Sequence, residues 1–124
     1  MVNEKSKAKS NAEVRRWYLE QVTRISELNR QWIAQELPAR ERAKAAWHIR
    51  HETRLEARAM MASLEEVELL RQRDIAEYGN PDGPTFEFLV EKLKDAGLEE
   101  DAIYEAIIDG SYRTNAGVNR RLGI

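Results

Sequence analysis

The chain has no cysteine among its 124 residues, which removes disulfides, thiolate nucleophiles, thiolate zinc sites and iron–sulfur clusters from consideration. Whatever chemistry it performs must use oxygen and nitrogen groups. It also lacks an apolar run long enough to span a bilayer. The opening stretch, Met1 to Ser10, is polar and lysine-rich, without the apolar centre of a signal peptide. These absences lead us to expect no membrane partner and a cytoplasmic setting. Three prolines and six glycines leave few breakers, and no stretch sustains period-two alternation, so no sheet is expected. No internal repeat or low-complexity segment stands out.

What is present is a 42% hydrophobic, 34% charged composition, the pairing typical of amphipathic helices with an apolar stripe and a charged remainder. The length suits one domain that can bury a core without a staple. The net charge of −2 hides an asymmetry. Residues 1–58 carry 13 Lys/Arg against 8 Asp/Glu, and residues 59–124 carry 7 against 14. An anionic partner would therefore meet the first half, unless the asymmetry is only the ordinary variation of helical surfaces.

Residues 1–10 read as a flexible tail and 11–124 as one helical domain. Ser10 and Glu13 form a capping box, in which each side chain satisfies the other residue's backbone N–H. Val14, Trp17, Tyr18, Val22, Ile25, Leu28 and Trp32 then recur at helical spacing until Pro38, predicting a first helix over 11–36. A second runs from just after Pro38 to about Ala62. Ser63 and Glu66 form another capping box ahead of a third helix, Leu64 to Tyr78, closed by Gly79. The turn-rich run Gly79-Asn80-Pro81-Asp82-Gly83-Pro84 follows. Thr85 caps a helix to Ala96, Leu98 to Asp109 makes the next, and Thr114 caps a short last one. The expected fold is an all-α bundle of about five to six helices, its two long N-terminal helices packed antiparallel. Its shared core is expected to take Ile25, Leu28, Ile49, Met60, Val67, Ile75, Phe88, Leu89, Ile103 and Ile107.

The second helix carries the most informative pattern. Arg50, Arg54 and Arg58 are four apart and share a face with His51, while Glu52 and Glu56 stand two residues away, where helical side chains do not meet. Such a stripe needs an anion. One source is phosphate, which planar guanidinium forks bind bidentately. The other is internal: carboxylates of the acidic half, such as Asp74, Asp82, Glu87 or Asp109. His48 and His51 are the only histidines and suit proton transfer near neutral pH, His51 as the better-placed general base or acid. His48, His51 and Glu52 would make an incomplete metal site, so neither metal nor cofactor is expected. Trp17, Trp32 and Trp47 read most simply as packing, although Trp47 can flank a site. Asp82 reads as a turn former or an acid held against the arginines. Arg113 and Thr114 can contact phosphate at the start of the last helix, although capping explains Thr114 as well.

Three stretches, Ala45 to Met61, Arg73 to Phe88 and Gly110 to Ile124, resemble the C-terminal toxin domains of bacterial polymorphic systems, including those carried on Rhs-repeat proteins. The resemblance implies an effector delivered into a neighbouring bacterium, often a nuclease, neutralised by a cognate immunity protein. From the helix face and the loop, His51, His48 and Asp82 are the candidate catalytic groups. Arg50, Arg54, Arg58, Arg113 and Thr114 would hold nucleic-acid or nucleotide phosphates, without a metal. The effector would act in the cytoplasm of the target, or of the producing cell. The alternative is a non-enzymatic helical protein–protein interaction module. A helical mutase gripping a dicarboxylate fits the residue types, but the first helix lacks the arginine and lysine spacing for it.

Overall fold

Local signals at the helix ends set the elements. The computed structural model describes residues 10–123, so residues 1–9 of the expected tail lie outside the described residues. Helix α1 (Asn11–Ala34) opens on the first capping box: Ser10 N–H donates to Glu13 Oε1 at 2.7 Å and Glu13 N–H to Ser10 Oγ at 3.2 Å. It stops two residues short of the expected 36. Leu37 N–H reaches the Trp32 carbonyl and Glu36 N–H the Ile33 carbonyl, a Schellman ending that puts Glu36 at φ 62°. A non-glycine there costs roughly 1 kcal/mol.

Helix α2 (Ala39–Met61) and helix α3 (Leu64–Tyr78) follow. The capping box on Ser63 is complete, and Gly79, at φ 74°, closes α3. The Ser63 amide and hydroxyl hold the Glu66 carboxyl below the usual glutamate range. After the loop come α4 (Phe86–Asp95), α5 (Glu100–Asp109), a 3-10 turn at Ser111–Arg113 and α6 (Asn115–Leu122). No strand occurs among the described residues. The described residues are all-α, with six α-helices, and the two long helices α1 and α2 pack together.

By contacts the described residues fall into two units. Unit 1 holds 10–22 and Arg50–Thr85: the first part of α1, the second part of α2, α3 and the following loop. Its buried residues include Val14 and Val22 and three polar ones, Arg50, Thr53 and Asp74. Unit 2 holds Thr23–Ile49 and 86–123. Its core gathers Ala43, Phe86, Leu89, Leu93, Leu98, Ile103, Tyr104 and Ile107. Arg42 on α2 ties back to α1, donating to Asn29 Oδ1 at 3.1 Å. Arg40 lies 5.2 Å from the Phe86 ring centroid and donates to the Tyr104 hydroxyl at 3.2 Å, a bond that holds the guanidinium pKa above its ordinary value.

Of the expected core, Ile25, Leu89, Ile103 and Ile107 are buried, and Leu28, Ile49, Met60 and Val67 are half-buried. Ile75 and Phe88 are exposed. On α4 the buried stripe is Phe86, Leu89 and Leu93, one helical face on which Phe88 has no place. On α3 the buried position adjacent to Ile75 is taken by Asp74. Phe86→Ala should therefore lower stability by about 3–5 kcal/mol, and Phe88→Ala by a small fraction of that. Urea denaturation of the two variants checks the contrast.

Candidate functional site

The arginine face of α2 points into a network inside unit 1. Arg58 Nη2 donates to Asp74 Oδ2 at 3.2 Å, and the Asp74 side chain is only 4% exposed. Arg73 on α3 adds a second, longer approach to Asp74, at 3.9 Å. Asp74 lies on the inward stripe of α3 with the half-buried Val67, Leu70, Arg71 and Tyr78, so α3 turns a carboxylate rather than an alkyl group toward α2. A carboxylate in that position requires a cation, and Arg58 supplies it.

One turn earlier, Arg54 Nη2 lies 3.0 Å from His51 Nδ1 and donates to the Asp82 backbone carbonyl at 3.1 Å. An arginine only donates, so Nδ1 of His51 carries the lone pair and Nε2 the proton in this arrangement. The loop is shaped to meet Arg54. Asp82 N–H donates to Asn80 Oδ1 at 2.9 Å and Gly83 N–H to the Asn80 carbonyl at 3.1 Å, an Asx-stabilised turn. Gly83 sits at φ 94°, and a Cβ there would lie 3.1 Å from Arg54 Nη2 and 3.8 Å from Asp74 Oδ2. The Asp82 carboxylate turns instead to Arg71 Nη1, at 3.4 Å, both side chains staying roughly half exposed.

The site residues expected from the sequence thus separate. His51, Arg54, Arg58 and Asp82 come together in unit 1, joined by Asp74, and Arg50 is buried there on the same helix face. His48 belongs to unit 2, where with Trp32, Leu37, Glu41, Lys44, Ala45, Trp47 and Ile49 it lines an open, mainly apolar cavity of about 500 Å³. Thr114 caps α6, accepting from Gly117 N–H at 2.9 Å. Arg113 stands exposed at the end of the 3-10 turn. Asp109, one of the acids weighed as an arginine partner, pairs with Arg121, which also donates to Ser111 Oγ and Glu105 Oε1. Burial pushes the Asp109 carboxyl up, but the Ser111 amide and hydroxyl and the Arg121 guanidinium outweigh it and hold the pKa below the ordinary value.

The sequence did not single out Gly83, whose only local signal is a glycine between Asp82 and Pro84, nor the buried Thr53. Among the described residues no three His, Asp or Glu side chains converge as metal ligands, and no helix is long and apolar enough to cross a membrane. The chain matches no protein family, no curated protein and no solved structure.

Two outcomes follow from these pairings. Arg58→Ala, which strands Asp74 with only the distant Arg73, should cost about 3 kcal/mol, whereas Arg58→Met with Asp74→Leu should recover most of it. Urea denaturation measures both. Because the folded-state pKa of Asp109 is depressed, its contribution is complete above the unfolded value of about 4 and is lost as pH falls through the folded one. The stability gap between wild type and Asp109→Asn should therefore be full at neutral pH and close on acidification, as thermal melts across that range will show.

Proposed function

We propose that the chain is a non-enzymatic helical docking module, its function being to bind a protein partner. The observation that carries this reading is the state of Arg54. Each bidentate edge of a guanidinium includes Nη2, and the two Nη2 hydrogens of Arg54 face two internal acceptors, His51 Nδ1 and the Asp82 carbonyl. Neither fork is open to a phosphate. Arg58 is likewise engaged by Asp74, so the basic stripe serves the fold. Unit 1 meanwhile leaves Leu19, Met61, Leu64, Leu69 and Ile75 exposed, and of these Leu64 and Ile75 share one side of α3, apolar surface that a partner can cover.

A second reading, the metal-independent nuclease effector with its immunity protein, is favoured by one observation. His51 and the exposed Arg54 are in hydrogen-bond contact beside the Asp82 loop, so release of that loop would free a proton carrier and a guanidinium together. In this reading the substrate is nucleic acid or a nucleotide, and the setting is the bacterial cytoplasm.

Expression in bacteria separates the two. A docking module should be tolerated, and the purified chain should leave RNA, DNA and nucleotides uncut. Arg54→Ala should then lower the melting temperature. Growth arrest that is relieved by His51→Ala and by Arg54→Ala, with unchanged melting temperatures and helical content, would overturn the docking reading. In that case each substitution should cost about 10²–10⁴ in cleavage rate.

A further inference from the structure

Helix α3 carries one exposed stripe whose spacing is that of a coiled-coil seam. Leu64, Glu68, Arg71 and Ile75 are separated by four, three and four residues, so they follow one side of the helix. Leu64 is 84% exposed and Ile75 43%. The Glu68 and Arg71 side chains are 62% and 44% exposed. The stripe thus has an apolar residue at each end and opposite charges in the middle. The inward stripe of α3 is used by Asp74 with Val67, Leu70 and Tyr78, and the half-buried Arg71 stands at the edge between the two stripes.

From this pattern we infer that the partner of the α3 face is a second copy of the same chain, bound antiparallel about a two-fold axis. The inference rests on the docking reading above and names its partner. If α3 is turned end for end about a point between Leu69 and Leu70, Leu64 falls opposite Ile75 of the second copy and Glu68 opposite its Arg71. The operation repeats both pairs, as an isologous contact must. A parallel pairing places Glu68 against Glu68 and Arg71 against Arg71, and like charges there are repulsive. The charge order along the stripe therefore selects this orientation and makes the face complementary to itself. The intrachain contacts of the two charged residues do not compete strongly. Arg71 meets Glu68 at 3.9 Å and Asp82 at 3.4 Å, and Glu68 also accepts from Gln72 Nε2 at 2.8 Å; the side chains stay about half exposed or more, a setting in which such contacts contribute little.

Sedimentation equilibrium of the whole chain from micromolar to submillimolar concentration tests the inference. The mass should rise from the 14.4 kDa of one chain towards twice that value. Leu64→Lys, at a position too exposed to affect folding, should hold the chain monomeric over the same range, with unchanged circular dichroism. Glu68→Arg and Arg71→Glu should each be monomeric alone, because each makes the centre of the seam a single sign. Mixed together they should form a heterodimer, since both charge pairs are then restored. A wild-type chain that stays monomeric throughout would overturn the second-copy inference. So would a dimer that is indifferent to Leu64→Lys and to the single charge reversals. Neither result touches the docking reading, which falls only to the growth arrest and cleavage described above.

Discussion

The ion pair between Arg58 and Asp74 is the interaction on which the rest of unit 1 depends. The unit buries few large apolar side chains, and it places a carboxylate on the stripe of α3 where an aliphatic residue would be ordinary. Removing that carboxylate from water is unfavourable unless a cation meets it, so the position of α3 against the second part of α2 is fixed by charge. Arg54 extends the same arrangement by one turn, from α2 to the loop that follows α3. Together the two arginines hold three consecutive pieces of chain (α2, α3 and the loop at 79–85) in a single register. Unit 2 works on the opposite principle, with a closed aromatic and aliphatic core under Arg40 and Tyr104.

This contrast bears on function. A basic stripe on a helix invites assignment to a phosphate site, and composition alone cannot tell that use from an internal one. What distinguishes them is which hydrogens of the guanidinium remain available. In Arg54 the shared nitrogen of both forks is engaged, and in Arg58 the side chain is largely buried against Asp74. The stretches Ala45 to Met61 and Arg73 to Phe88 contribute the residues of this network, which gives their arginines and acids a structural role.

Much of the fold was legible in the sequence because its signals are local. The capping boxes at Ser10 and Ser63 and the stop at Gly79 depend on neighbours within a few residues, and each stands where expected. The end of α1 was misplaced because the reading followed Pro38 and had no rule for a glutamate entering the left-handed region. The core was partly misread for a different reason. Phe88 and Leu89 are adjacent on a helix and cannot both face inward; the register set by Phe86, Leu89 and Leu93 was available in the spacing but was not preferred. Ile75 lost its place to Asp74 because of Arg58, a residue sixteen positions earlier, and no periodicity reports a partner that distant. Within the candidate site the spacing brings the arginines and His51 to one face, with Asp74 and Asp82 among the acids weighed as their partners. It could not say that Asp82 would answer Arg54 through its backbone carbonyl, since that depends on the turn conformation.

The glycine at position 83 carries a consequence for how this protein can vary. At φ 94° any side chain at this position is strained whatever the space around it, and a Cβ there would also lie 3.1 Å from Arg54 Nη2, so the arginine tip would have to yield by a few tenths of an ångström and loosen its bond to the Asp82 carbonyl. Positions 54 and 83 lie far apart in the chain yet meet at this turn. Shortening the arginine would remove the crowding but not the backbone strain, so the glycine is held chiefly by its own conformation and only secondarily by the side chain on α2.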